Sequence, residues 1–208
     1  MNPSTLLANG SANFQVLLED GERVFCRVGS HANADSSVLA VLPAAEHATP
    51  LALERLAHEY GLKDELDRAW AARPLEFIQE RGRTMLVLED PGGEPLERLL
   101  GAPLETDHLL RLAIDITVAL GKLHRRGLLH KDIKPANIIV NCADGQARLT
   151  GFGIASRVPR ERQAPEPPET IAGTLAYMAP EQTGRMNRSI DSRSDLYALG
   201  VTFYQMLT

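Results

Sequence analysis

His130–Val140 reads HKDIKPANIIV. Asp132, Lys134 and Asn137 stand at offsets of zero, two and five, and an unbroken apolar run follows at once. A short apolar run bounded by polar residues reads as a buried strand. The three polar side chains therefore belong to a loop that a strand anchors. Asp132 and Asn137 have a plain alternative role, since both residue types cap turns by bonding nearby backbone.

Working outward, the 208 residues are 44% hydrophobic and 24% charged, enough to bury a core in one large domain or two small lobes. The net charge of -5 speaks against nucleic-acid binding as the main task, because phosphate-backbone binding shows as a basic excess. Cys26 and Cys142 lie far apart without metal-type spacing and read as two reduced thiols. The start, MNPSTLLANG, has no basic region ahead of a long apolar stretch, and no window of about 18 apolar residues occurs. A soluble cytoplasmic chain without a membrane segment is expected.

From Asn13 to Pro43 the text is strand-like. Asp20-Gly21 separates two apolar runs as a hairpin turn does, and SSVLAVL (36–42) makes a third strand. Thr49-Pro50 opens a helix with Leu53, Leu56, Ala57 and Tyr60 at helical spacing. TMLVLED (84–90) returns to strand, and PGGEP (91–95) breaks the chain. The expected division is a β-rich lobe with one main helix over 1–89, a hinge at 90–94, and a helical lobe over 95–208. In the second lobe Leu109, Ala113, Ile116, Leu120 and Leu123 mark a long amphipathic helix that runs into the opening motif. The strands NIIV (137–140) and ARLT (147–150) flank a turn, residues 157–170 read as an extended Pro-rich loop, and 191–208 read as a buried helix apolar on most sides. There is no internal repeat.

A sheet-rich lobe, a hinge and a helical lobe carrying Asp-x-Lys-x-x-Asn before a strand pair resemble a protein kinase. HKDIKPANIIV resembles the kinase catalytic loop, and GFG (151–153) sits where the metal-binding Asp-Phe-Gly belongs. GTLAYMAPE (173–181) resembles the end of the activation segment, and SDLYALGV (194–201) the start of the helix that anchors the large lobe. The stretch from 173 to 208 further resembles the N-terminal kinase-like domain of large bacterial proteins that continue into an ATPase module and a sensor histidine kinase. The resemblance implies an α+β, two-lobed protein-kinase-like fold with the large lobe truncated at its C-terminus. Helices that would cover the last helix are then absent, leaving Leu199, Phe203 and Met206 partly uncovered, and Glu181 without its usual arginine.

What the resemblance implies for chemistry is phosphoryl transfer, in which the protein supplies positioning and charge. Asp132 would orient the proton of a substrate hydroxyl, Lys134 would meet the charge developing on the γ-phosphate, and Asn137 would offer its carbonyl oxygen to magnesium. Lys134 and Thr174 are of the serine/threonine type. On the nucleotide side the implied positions are Gly21 in the phosphate-covering turn, Val24 as a roof over adenine, Val41 or a neighbour where a lysine should hold the phosphates, Glu59 as that lysine's helix partner, and Glu89 at the hinge. Glu59 reads equally as a solvated helix charge.

The same comparison exposes losses. Gly151 occupies the place of the metal-binding aspartate, none of the four lysines, Lys63, Lys122, Lys131 and Lys134, lies in the first three strands, and LLEDGERVF keeps one glycine among three acids. Arg23 or Arg27 is a candidate stand-in for the missing lysine. If each lost contact cost about 2–3 kcal/mol, two would slow transfer by roughly 10³ to 10⁴. ATP is thus expected to be held weakly, and magnesium to lack its better site. Two readings remain: a degenerate kinase domain serving downstream signalling domains of the same chain, or a slow kinase acting on a protein substrate. His130 is expected to brace the loop against Asp195, and Lys131, Ser156 and Thr170 to mark a place for phosphate regulation. A third idea is that GRMNRSIDSR (184–193) docks an acidic partner, against the ordinary role of such a run as a solvated loop.

Overall fold

A computed structural model describes residues 12–30, 33–45, 48–80, 83–141, 145–158, 173–184 and 188–208. Cys142, Asp144, Thr170, most of the Pro-rich loop and part of the 184–193 run lie outside the described residues. The chain divides into two compact units, 1–92 and Gly93–Thr208.

The first unit is a five-stranded sheet of β1 (Ala12–Glu19), β2 (Arg23–Ser30), β3 (Asn33–Pro43), β4 (Pro74–Glu80) and β5 (Arg83–Glu89), in the order β1-β2-β3-β5-β4 and antiparallel throughout. The Asp20-Gly21 hairpin forms as its residues suggest: the Asp20 carboxylate accepts the backbone N–H groups of Glu22 and Arg23 at 3.2 and 3.0 Å. β4 is the strand the sequence reading missed. It starts on a proline and carries Glu76, Gln79 and Glu80 between its apolar residues, which dilutes a strand signal.

Helix α1 (Pro50–Gly61) starts where Thr49-Pro50 indicates, with Thr49 Oγ1 accepting the Ala52 N–H at 3.2 Å. Its buried residues are Leu56 and Glu59, and Ala57 is exposed. A step of 100° per residue turns Ala57 away from the stripe that Leu53, Leu56 and Tyr60 share. The Tyr60 ring stacks on Phe77 of β4, with centroids 6.0 Å apart.

Register sorts the sheet into two faces, because successive side chains alternate. Phe25, Val41, Leu86 and Phe77 stand opposite one another on the face that Tyr60 touches, as do Arg27, Leu39 and Leu88. Val24 pairs with Leu42, so it lies on the opposite face from Val41. Arg27 reaches from β2 to Asp90 beyond the end of β5, with Nε 2.7 Å from a carboxylate oxygen whose side chain is 1% exposed. Since β3 lies between those strands, the Arg27 stem crosses over Leu39, which is fully buried.

In the second unit β6 (Glu94–Pro95), β8 (Ile138–Asn141) and β9 (Gln146–Leu149) form one small sheet, and β7 (Leu128–Leu129) pairs with β10 (Ser156–Arg157). Gly93 enters β6 at φ +84, and a Cβ there would lie 2.0 Å from the Val140 carbonyl oxygen, so only glycine permits this approach. Helix α2 (Thr106–Arg125) buries Leu109, Leu112, Ile116, Ala119, Leu120 and Leu123. Helix α3 (Ser192–Leu207) departs from the expected all-round burial. It buries Ser194, Asp195, Ala198, Leu199, Thr202 and Met206 and exposes Leu196, Tyr197, Tyr204 and Leu207. Leu199 and Met206, expected to be uncovered, are 4% and 0% exposed, because the α3 stripe packs inward at the helical period. Among the described residues no helix is long and apolar enough to cross a membrane.

The Arg27–Asp90 pair yields a stability prediction. Arg27→Ala strands a buried carboxylate and should cost about 3 kcal/mol. Arg98→Ala breaks the more exposed pair with Glu94 and should cost no more than about 0.5 kcal/mol. Urea denaturation of the two variants measures the difference.

Candidate active site

The loop after β7 is held from below by one carboxylate. Asp195, in the first turn of α3 and fully buried, accepts the His130 N–H at 2.9 Å on Oδ2 and the Lys131 N–H at 2.7 Å on Oδ1. His124 Nε2 lies 2.9 Å from the same Oδ2. These bonds hold Lys131 at φ +68, a conformation that non-glycine residues rarely adopt. His130 meets Asp195 through its backbone N–H, in keeping with the brace expected of it. Ring Nδ1 accepts the Asp132 N–H at 3.3 Å and Nε2 faces the Thr150 carbonyl at 3.0 Å, which together select the neutral tautomer with hydrogen on Nε2. Burial draws the Lys131 ammonium below the usual lysine range, against the opposing pull of the Asp195 carboxylate.

Above this brace the four residues singled out for catalysis meet. Asp132 Oδ1 accepts the Thr174 N–H and hydroxyl, both at 2.9 Å. Lys134 Nζ donates to Thr174 Oγ1 at 2.8 Å and stands 3.5 Å from Asp132 Oδ2. Asn137 Nδ2 donates to the Asp132 carbonyl at 2.7 Å and to Asp132 Oδ2 at 2.9 Å. Asp132 and Lys134 keep side-chain exposures of 16% and 12%, whereas Asn137 is fully buried. Gly151 adjoins Asn137 at φ +78, and a Cβ placed on it would lie 2.6 Å from Asn137 Oδ1 and 2.7 Å from its Cγ.

Sequence reasoning missed the residues that tie this group to the rest of the unit. Gln182 Nε2 donates to the Lys131 carbonyl at 2.9 Å while its Oε1 accepts the Ala179 N–H at 3.0 Å. Glu181, for which a distant arginine was expected, is 8% exposed and accepts the Ser194 hydroxyl at 2.7 Å. The Tyr177 hydroxyl donates to Gln205 at 2.7 Å, and burial pushes its phenol up.

The nucleotide-side candidates of the first unit fare unevenly. Gly21 lies in the β1–β2 turn, and Glu89 is fixed by Arg73, which gives it an ion pair at 3.0 Å and whose carbonyl accepts the Glu89 N–H at 2.8 Å. Val41 is 1% exposed amid apolar neighbours, and Glu59, at 2% exposure, is no solvated charge. Val24 and Val41 point to opposite faces and cannot both line one ligand. Arg23 and Arg27 are no substitutes for the absent lysine, because they pair with Asp20 at 3.1 Å and Asp90 at 2.7 Å.

Magnesium asks for a near-octahedral set of oxygens that includes one or two carboxylates. Among the described residues no group of three or more His, Cys, Asp or Glu side chains is arranged to hold a metal. At the loop, both Asp132 oxygens already accept hydrogen bonds and Asn137 is fully buried. The residues present do not fit the metal. For a triphosphate the group offers one ammonium, that of Lys134.

Residues 30–208 match the family model described as the protein kinase domain. The match leaves out residues 1–29, which carry the Gly21 turn. The chain is 38% identical over 133 residues to serine/threonine-protein kinase Pkn1 of Myxococcus xanthus, covering 61% of this chain and 18% of that protein. It is 32% identical over 166 residues to pkn2 of the same organism, covering 78% and 20%. It is 33% identical over 139 residues to PknB of Mycobacterium tuberculosis, covering 66% and 20%. The aligned parts thus span no more than 20% of these relatives' length.

Asp195→Ala removes the acceptor of three donors and should destabilise the second unit by about 3 kcal/mol or more. Hydrogen exchange should show the His130 and Lys131 amides losing protection ahead of the α2 core.

Proposed function

Because this chain belongs to the protein kinase domain family, we propose that it is a degenerate kinase domain, a binding and signal-transmitting module whose output is carried by other domains of its own protein. The observation that carries this reading is at Val41. Neither Val41 nor its neighbours Ala40 and Leu42, where a phosphate-binding lysine is expected, carries a charge; Val41 is 1% exposed between Phe25 and Leu86, and the two nearby arginines are committed to Asp20 and Asp90. The ligand class is ATP, held more by its base than by its phosphates.

A second reading is favoured by a different observation. Asp132, Lys134 and Thr174 are assembled within hydrogen-bond reach of one another, the arrangement a serine/threonine kinase uses to orient a hydroxyl acceptor. On that reading the domain is a slow kinase for a protein substrate. Asp132 would take the hydroxyl proton and Lys134 would steady the departing charge. When bound, magnesium would supply charge neutralisation at the phosphates, a role the residues at 137 and 151 do not support.

Calorimetric titration with ATP, with and without magnesium, separates the readings when paired with a phosphotransfer assay on the full protein. The degenerate domain should bind ATP with affinity changed less than about threefold by magnesium and turn over about 10³-fold or more below an ordinary kinase rate. A turnover of about one per second, ordinary for kinases, overturns it.

A further inference from the structure

Helix α2 carries a second apolar face. Its inner stripe, Leu109, Leu112, Ile116, Ala119, Leu120 and Leu123, is buried in the second unit. On the other side Leu110, Ile114 and Val118 follow one another at intervals of four and stay 52%, 65% and 45% exposed. A helix apolar on opposite faces is ordinarily covered on both. At 100° per residue the three aliphatics share an arc of about 80°, and positions 107, 121 and 125 fall inside it. The seam therefore runs from an acid, Asp107, through three aliphatics and Gly121 to a cation, Arg125. Among the described residues neither Asp107 nor Arg125 has an ion pair. Gly121 keeps the seam shallow, since a Cβ there would meet only the Arg125 guanidinium at 3.7 Å. The bordering polar groups are already satisfied. The Thr117 hydroxyl donates to the Ala113 carbonyl at 2.6 Å, and the Asp115 carboxylate accepts the Ala147 N–H. Covering the seam would strand neither of them.

The order of charges selects the partner. A parallel copy of the helix would set Asp107 against Asp107 and Arg125 against Arg125. An antiparallel copy, related by a two-fold axis at Ile114, sets Ile114 against itself, Leu110 against Val118, and Asp107 against Gly121 with Arg125 one turn beyond. Acid then meets base at both ends, and the two helix dipoles oppose each other. We propose that the outer face of α2 is an interface between two copies of this chain, an antiparallel helix pair with Ile114 on its two-fold axis and the Asp107 of each copy facing the Arg125 of the other. One helix pair covers less than the roughly 1,600 Å² of a standard interface, so the association is micromolar or weaker. The catalytic loop plays no part in it.

Sedimentation velocity on the full protein, from about 1 to 100 µM, together with cysteine cross-linking, tests the pairing and its register. Ile114→Asp should weaken self-association about tenfold or more. Asp107→Arg and Arg125→Asp should each weaken it, and the two together should restore it, because the swap leaves the ends complementary. In a Cys142→Ser background Ile114→Cys should oxidise to a linked dimer by itself, since a residue on a two-fold axis meets its own copy. Leu110→Cys should link only when mixed with Val118→Cys. Cys26 is buried and takes no part. A protein that stays monomeric over this range, self-association that Ile114→Asp leaves unchanged, a charge swap that restores nothing, or cross-linking indifferent to position overturns the proposal. An Ile114→Asp variant that alters no association but melts earlier, the mark of a face covered within its own chain or by another protein domain, overturns it as well.

Discussion

Everything distinctive about the second unit hangs on the buried carboxylate of Asp195. Removing an ion from water is costly unless charge-assisted bonds and nearby positive groups offset it. Asp195 has three such offsets: the backbone amides of His130 and Lys131, the His124 ring, and its own place in the first turn of α3, where unpaired amides favour negative charge. Two consecutive amides aimed at one carboxylate force the backbone to turn sharply, which is why Lys131 sits at φ +68. The turn aims Asp132 toward Thr174 and leaves the Lys131 carbonyl for Gln182. A single side chain on α3 thus sets the path of the loop, and Gln182 on the Lys131 carbonyl and Ser194 on Glu181 seat residues 179–182 beside it.

How much of this could be read from residues alone depended on whether a chemical need leaves a fixed spacing. Asp132, Lys134 and Asn137 were legible because their spacing matches a known loop, in which an extended step keeps offsets zero and two on one side and a short 3-10 turn over 135–137 brings Asn137 back to Asp132, and Thr174 followed from its likeness to a known segment. Thr49-Pro50 was legible because capping is a local matter. Gln182 and Ser194 were not, since they bridge to backbone and carboxylate partners distant in sequence, and a solvated polar residue reads the same way. The faces of Val24 and Val41 were hidden for a related reason. Alternation fixes each strand's own pattern, but which residues stand opposite depends on the irregular stretch between Val28 and Ser30 in the β2–β3 register. Glu59 was undecided on sequence because burial of a helix charge depends on what the sheet brings against it.

Stability makes different demands at Asp132 than at positions 41 and 151. At the hydroxyl end, Asp132 accepts four hydrogen bonds from Thr174 and Asn137, including the one to its carbonyl. Losing Asp132 would leave several donors without acceptors in a largely buried setting, so the fold itself opposes the change. At positions 41 and 151 no such penalty applies. Valine at 41 fits an apolar layer better than an ammonium would, and glycine suits the left-handed backbone at 151 better than any other residue.

Retention of Asp132 and Asn137 is therefore weak testimony for catalysis, since packing alone would preserve both. Lys134 is the more telling residue. Its ammonium bonds Thr174 and stands 3.5 Å from Asp132, yet Thr174 already has Asp132 as a partner and loses little structural support without the lysine. On the kinase-type reading proposed above, a long cation at this place would serve a ligand with negative charge. Lys134 is thus the position at which a structural account of this loop and a chemical one make different demands.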